Sequence, residues 1–550
     1  MCGIWCIATA ANSILPINEE EANRLVNNTL AARGPEGGRV ASFNNNVIMG
    51  FTRLAINGLS SAGMQPFTHN GITIICNGEI YNYKEIAKKY GFTLTTGSDC
   101  EVLPLLYEHL IDHPHLFWQE LDGVFAAAVY DANRKTLMVG RDPYGVRPLF
   151  IGTTTSTNRF QDYEYIGFAS EIKGLHPIGF DSIYQFTPGY YAIYDLSTLT
   201  LMDRAQYHTY PDGERPSAPI ADIDLAKRYV RSTLMQAVYK RMLTERPVAA
   251  LLSGGIDSSL IAALVQCELV AAGAPPLKTF SIGFEGSEDL RYAQMVADHI
   301  GSEHHEIVMT PDDFFAAIPE VIKDIESFDT TTVRASVGNW LVAREIRRRT
   351  DCKVVFNGDG SDEAFGSYMY FYKAPSDEEY EAETVRLLKD ICYFDVLRSD
   401  RSISSHGLEP RTPFLDKNFV STVHRTAVNL RRPIAGHQPE KWLLRSAFDG
   451  MNLLPSQVLW RKKEAFSDGV SGPKKLWFEE IQERLKTLPI TPSTGGHMDP
   501  KTPEDIYYRS IFESLYPGRS SAIPYKWMPR WIDGATDPSA RTLKVYDEAK

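Results

Sequence analysis

The segment Val248 to Leu264 of this 550-residue chain, V-A-A-L-L-S-G-G-I-D-S-S-L-I-A-A-L, concentrates groups that bind anions. Gly254 and Gly255 permit a turn closed to bulkier residues, while Ser253, Ser258 and Ser259 offer hydroxyl donors beside the free N–H groups at a helix start. Asp257 puts a carboxylate next to the phosphates, an arrangement that makes sense where Mg2+ bridges the two. The loop therefore reads as a site for a metal-bound nucleotide, and a plain glycine turn is the weaker alternative. A Walker loop is excluded, because no Gly-Lys pair occurs anywhere in the chain.

A second cluster, N-G-D-G-S-D-E from Asn357 to Glu363, holds three acids in five residues. Such a group is costly without a cation. It suits Mg2+ or the positioning of an attacking amine, with Asp359 as general base, unless it is an acidic surface turn. Lys463, in R-K-K-E-A-F-S-D-G, and Arg334, in D-T-T-T-V-R, are cations suited to pyrophosphate or else ordinary surface charges.

The N-terminus, M-C-G-I-W-C-I, carries different chemistry. Removal of Met1 would leave Cys2 with both a thiol and a free α-amine of pKa ~8 able to take its proton. Arg33 in R-G-P and Arg53 in R-L-A-I each offer a fork for a carboxylate, or a surface ion pair. Asn77 and Gly78 follow the apolar run Ile72 to Ile75 and are expected at a strand end, as an oxyanion hole or as a hairpin turn. Asp99, in G-S-D, offers a carboxylate to an ammonium group or caps a helix. His304-His305 point to opposite strand faces without a third ligand, so zinc is not expected there.

The elements that position these residues follow from pattern. Val248 to Leu252 reads as a buried strand and Ser258 to Leu264 as a helix; Leu277 to Phe284, Glu303 to Met309 and Lys353 to Phe356 read as strands, and Leu290 to Ile300 as a helix. This alternation predicts a doubly wound α/β domain, with ligands beyond the carboxyl ends of its strands and Ile282 near an adenine. The polar, proline-bearing stretch from about 205 to 225 predicts a linker.

A formal charge of −12 and a pI near 5.6 oppose broad binding to nucleic acid or anionic membranes, so small-molecule partners are expected. Seven cysteines without a C-x-x-C pair fit neither a disulfide framework nor a structural zinc site, which predicts a reducing, cytoplasmic setting. No apolar run reaches the ~20 residues of a membrane span. A homodimer is held open as the oligomeric state.

Residues 1 to about 200 resemble the glutaminase domain of class II, N-terminal-nucleophile amidotransferases, through C-G-I at 2, R-G-P at 33, R-L-A-I at 53, N-G-E-I-Y-N at 77, G-S-D at 97 and G-R-D-P-Y-G-V-R-P-L at 140. The 253 loop resembles that of N-type ATP pyrophosphatases. With D-T-T-T-V-R-A-S, G-D-G-S-D-E, H-G-L-E-P-R-T-P-F-L-D and A-T-D-P-S-A-R-T-L, essentially the whole chain is similar to glutamine-hydrolysing asparagine synthetases.

That resemblance implies an α+β sandwich of two antiparallel sheets between helices (1–205), a linker (206–224) and a parallel-sheet α/β synthetase domain (225–550). It implies Cys2 as nucleophile, Arg53 for the glutamine carboxylate, Asn77 and Gly78 for the oxyanion, and Glu79 and Asp99 for the amine. ATP and pyrophosphate are expected on Leu251, Ser253, Gly254, Gly255, Asp257, Ser258, Ser259, Ile282, Asn357, Gly358 and Lys463. Mg2+ is expected on Asp257 and Asp362, and aspartate, its β-aspartyl-AMP or the ammonia route near Arg334, Asp362 and Glu363. Ala32, Glu36, Asn57, Asn357 and Asp359 depart from residues common in the family. A similar architecture amidates or cyclises other carboxylates in β-lactam synthetases, which lack a working cysteine at position 2; a regulatory protein that keeps the fold is the remaining alternative.

Overall fold

The computed structural model describes residues 1–550 except 158–160, 210–217, 463–468, 473–474, 490–496, 533, 535–536 and 539–550. Its first part is a sandwich of two six-stranded sheets. The strands are β1 (Gly3–Thr9), β2 (Gly38–Phe43), β3 (Val47–Thr52), β4 (Phe67–His69), β5 (Ile72–Ile80), β6 (Gly123–Asp131), β7 (Thr136–Arg141), β8 (Phe150–Thr155), β9 (Tyr163–Ala169), β10 (Ser182–Gln185), β11 (Tyr190–Asp195) and β12 (Thr200–Gln206). Their orders are β10-β8-β9-β1-β3-β2 and β12-β11-β7-β6-β5-β4, with antiparallel pairing throughout.

The period-2 alternation of strands decides what fills the sandwich. Along β6, Ala126, Ala128 and Tyr130 face the space between the sheets, while Phe125, Ala127 and Val129 face an outer helix layer. Along β1, Ile4, Cys6 and Ala8 point inward and Trp5 and Ile7 pack outward on Ala22, Val26 and Leu30. Both faces are apolar because both are covered. Cys2, just before β1, thus starts from a fully buried strand.

The second part begins with the helix Ile223–Arg241 and is built on five parallel strands, β13 (Val248–Leu251), β14 (Lys278–Gly283), β15 (Glu303–Val308), β16 (Val354–Phe356) and β17 (Glu409–Arg411), ordered β15-β14-β13-β16-β17. Helices cover both faces, with Ile256–Ala271 on one side and Thr330–Arg349 on the other. Strand order reverses between β13 and β16, and a crevice at the carboxyl ends of these two strands follows from the reversal. The strands expected from sequence are all present within a residue or so of their predicted ends, and the helix expected from Ser258 starts at Ile256.

Polar contacts join the two parts. Arg33 Nη1 donates to Glu171 at 2.8 Å and across the interface to Asp400 at 2.9 Å. Arg246 donates to Glu36 and to the Ala55 carbonyl, both at 2.8 Å, and the Gly58 N–H donates to Glu245 at 2.7 Å. Glu36, one of the departures from the family pattern, is therefore an interface residue.

Candidate functional sites

In the N-terminal domain, the Cys2 backbone N–H donates to Asn77 Oδ1 at 3.1 Å, and the thiol lies 3.7 Å from the Leu54 carbonyl. That bond orients the Asn77 amide: its buried Nδ2 is left with no partner, a donor awaiting an acceptor on the side chain that holds the Cys2 N–H. The sequence reading put Asn77 and Gly78 at a strand end. Instead β5 runs on to Ile80, and the two residues pair with Ala126 and Phe125 inside the strand. The donor survives this correction. Cys76 and Ile80 send their N–H groups to Gln65 and Asp99 on the edge away from β6, so Gly78 between them presents its N–H to the same open edge.

Arg53 is fixed by two carbonyls of the next turn, donating to Gly58 at 2.5 Å and Ser60 at 2.6 Å. Asp99 does not cap a helix; it accepts the Ile80 N–H at 2.7 Å. Burial pushes Asp99 up to about 6, and burial together with Asp99 and Glu409 holds Glu79 well above the carboxylate range against the opposing Arg411. Two buried carboxyls of raised pKa side by side form a place for a cation. Asn57 donates to Glu79 at 2.7 Å, which explains an amide where a third carboxylate would add repulsion.

Met1 bears on the thiol directly. Its ammonium is buried 3.7 Å from Glu409, and while it remains Cys2 has no free amine; burial pushes the thiol up to about 11. With Met1 in place the Cys2 thiol is held protonated.

In the second domain a cavity of about 260 Å3 opens at the reversal of strand order. Leu251, Ser253, Gly255, Asp257, Ser258 and Ile282 line it from β13, its loop and β14, and Asn357, Gly358, Asp359, Asp362 and Glu363 from the segment after β16. Ser253 and Ser258 bond to each other at 3.0 Å, closing the loop on itself. Gly358 is held against that loop so tightly that a Cβ would lie 2.7 Å from the Ser258 nitrogen. The two motifs therefore form one wall.

Arg398 donates to Asp359 Oδ1 at 2.8 Å, whereas Oδ2 is buried without a partner. Burial raises the Asp359 pKa and Arg398 opposes that rise. Asn357 is pinned to Ser399 at 2.6 Å, and Tyr368 Oη lies 2.5 Å from Glu363 and 2.8 Å from Asp395, its one proton shared among them. Asp257 and Asp362 both accept from Lys441, at 2.5 and 2.6 Å. Asp257 Oδ1 is buried without a partner. Among the described residues no three His, Cys, Asp or Glu side chains group around a metal, but Mg2+ needs only one or two carboxylates where phosphates and water complete its shell. Two hard oxygens converging on one cation position fit that ion.

Family models for asparagine synthase match residues 229–383 and 373–532, and one for a glutamine amidotransferase domain matches residues 1–189. The glutamine-hydrolysing asparagine synthetases of Gallus gallus and Homo sapiens are 41% and 39% identical to it, each over 100% of both chains. The chain belongs to the glutamine-hydrolysing asparagine synthetase family.

Not every residue that the family resemblance nominated reaches its site. Arg334 lies outside the cavity wall, in a two-sided ion pair with Glu504 and Asp537 at 2.6 Å and over the Phe478 ring. Its carboxylate partners come from a distant helix and the C-terminal segment, so D-T-T-T-V-R carried no sign of them. Gly254 (φ +71°) packs on Tyr292 and Ala293, and Ser259 is wholly buried, so both shape the loop from behind its wall. Lys463 lies outside the described residues. Conversely, Lys441 and Arg398 act on residues of the acidic and 253 motifs from segments of ordinary composition that carry no such signal, while Arg411, inside H-G-L-E-P-R-T-P-F-L-D, reaches across to Glu79 of the N-terminal motif.

Proposed function

We propose that this protein makes asparagine from aspartate, with glutamine as nitrogen donor and ATP cleaved to AMP and pyrophosphate. The observation that carries the reading is the presence in one chain of two complete constellations joined by a buried polar interface: Cys2 beside the unpartnered Asn77 Nδ2, and the 253–259 loop packed on 357–363.

In this reading Arg53 takes the glutamine carboxylate, and Glu79 and Asp99 ionise around its ammonium. Loss of Met1 exposes the Cys2 amine, which accepts the thiol proton as sulfur attacks the side-chain amide carbon. The oxyanion is met by Asn77 Nδ2 and the Gly78 N–H; the proton returns to the leaving ammonia, and water hydrolyses the thioester to glutamate. The unpartnered Asn77 Nδ2, on the side chain that accepts the Cys2 N–H, and the Gly78 N–H on the open edge of β5 support that assignment.

ATP lies with its phosphates on Ser253, Gly255 and Ser258 and its base toward Ile282. Asp257 and Asp362 would hold Mg2+ there, and the ion would supply positive charge against the phosphates. Aspartate is activated as β-aspartyl-AMP, and Asp359, anchored through one oxygen by Arg398, uses the other to take a proton from the attacking nitrogen or its tetrahedral adduct. Seven free cysteines support a reducing, cytoplasmic location, and no described helix is long and apolar enough to cross a membrane. The homodimer remains a proposal that light scattering tests.

The deciding experiment offers purified protein ATP, Mg2+ and glutamine with aspartate or other carboxylic acids and identifies the product by mass spectrometry. Asparagine, AMP and pyrophosphate in equal amounts are expected. An amide of another acid, or none, overturns the reading.

A further inference from the structure

Asp257 and Asp362 arise from different loops yet share one cation. Lys441 Nζ is 2.5 Å from Asp257 Oδ2 and 2.6 Å from Asp362 Oδ1. Lys441 is 2% exposed, lies on the cavity wall and has a left-handed backbone (φ 56°) just before the helix Trp442–Phe448. For a residue other than glycine that conformation costs roughly 1–2 kcal/mol, so the fold spends stability to aim this side chain.

The ammonium stands where a divalent ion bound by the same two oxygens would stand. Metal–oxygen distances of about 2.1 Å leave no room for Nζ between the same carboxylates. The charges point the same way. Two carboxylates and one ammonium sum to a single negative charge, a weak lure for a free divalent ion; a triphosphate beside them changes the balance by adding negative oxygens for both cations. An ammonium has three donors on a flexible stem and can turn from carboxylate to phosphate, whereas the aspartates, fixed on a helix's first turn and on the short helix Ser361–Phe365, cannot follow it.

We infer that Lys441 is a resident counter-ion and positioning residue: it occupies the metal position in the nucleotide-free protein, disfavours metal without nucleotide, and moves to the pyrophosphate oxygens when Mg2+ and ATP arrive together. This rests on the nucleotide reading above. Lys441 keeps the 253 loop and the 361 helix together before substrate binds and adds a positive charge on the leaving group afterwards.

The test titrates the full-length protein with Mn2+ and reads free Mn2+ by electron paramagnetic resonance, with and without an ATP analogue that cannot be cleaved between its α- and β-phosphates. Wild type should bind Mn2+ about tenfold or more tightly with the analogue than alone; Lys441→Met should bind Mn2+ alone about tenfold more tightly than wild type, yet inorganic pyrophosphate about tenfold more weakly. Lys441→Arg should keep the weak binding of Mn2+ alone. A folded Lys441→Met variant with unchanged Mn2+ and pyrophosphate affinities overturns the inference, as does wild type that binds Mn2+ equally well with and without bound analogue. The wild-type comparison decides the matter if the methionine variant fails to fold. Absence of analogue binding by wild type overturns the nucleotide reading itself.

Discussion

The two sites treat buried carboxyls in opposite ways. In the N-terminal domain, Glu79 and Asp99 keep raised pKa values although Arg411 comes within 3.4 Å of Glu79, and Arg53 is committed to carbonyls rather than to either of them. In the synthetase cavity Asp257, Asp359 and Asp362 already hold cations of the chain itself, Lys441 and Arg398. In the proposed function, a carboxyl pair that one arginine only partly offsets gains from a substrate ammonium. A site that already has its charges balanced must exchange or move them, which suits a ligand as highly charged as a metal nucleotide. Both sites draw charges from distant segments: Glu409 and Arg411 of β17 reach Met1 and Glu79 in the first, and Lys441 and Arg398 reach the acidic loops in the second.

The strongest test of this division is Cys2→Ala. It should abolish glutamine-dependent asparagine formation and leave the ammonia-dependent reaction intact, measured as product with each nitrogen source. Glutamine hydrolysis by the variant would break the assignment. A form that retains Met1 should behave alike, since its Cys2 nitrogen stays in a peptide bond.

Asp257→Asn attacks the other half. Synthesis with either nitrogen source should fall by about 100-fold or more, because an amide oxygen is a poor metal ligand and the clamp on the phosphates supplies several kcal/mol. Glutamine hydrolysis should persist. Normal pyrophosphate release would show that the loop is misassigned.

Asp359→Asn should slow ammonia-dependent synthesis ~100- to 10,000-fold while hydrolysis of glutamine continues, the range of a general base. Asp359→Glu restores the family's commoner residue. It should retain activity provided Arg398 still holds one oxygen. Equal activity of the Asn and Asp forms would reduce 357–363 to a structural or metal-positioning turn.

The smallest effect is a pH profile. Asp99 titrates in the free protein near 6 and Glu79 above the ordinary range, so as pH falls through about 6 the pair takes up protons and loses its hold on the glutamine ammonium. KM for glutamine should rise by about tenfold per pH unit below that point while KM for ammonia-dependent aspartate use does not share the change. The sign for stability is opposite: a carboxyl whose folded pKa lies above its unfolded value stabilises at low pH and loses that contribution as pH rises through about 6. A glutamine KM flat between pH 5 and 7 would separate the pair from the substrate amine.

Much of this was legible in order along the chain. Paired glycines, three serines and an acid announced the 253 loop, and strand-helix alternation announced the parallel sheet, because turns, caps and hydrophobic period are properties of neighbours in sequence. The same locality misled at Asn77-Gly78. An Asn-Gly pair reads as a strand end, yet the pairing with Phe125 and the bonds of Gln65 and Asp99 hold β5 extended through it.

Sequence by itself announced Cys2 as a candidate nucleophile, the glycine-serine loop at 253, the acidic segment and the parallel sheet, since each depends on a few adjacent residues and their backbone freedom, while the antiparallel sandwich was legible only through the family resemblance. Tertiary structure alone decided which charges meet. Arg334 was drawn off to Glu504 and Asp537, Lys441 was set between Asp257 and Asp362, Arg398 on Asp359, and Arg411 3.4 Å from Glu79. A buried charge must find its partner wherever the packed chain brings one within reach, and because desolvation makes an unpaired charge so costly, that long-range pairing outweighs anything a short motif can express.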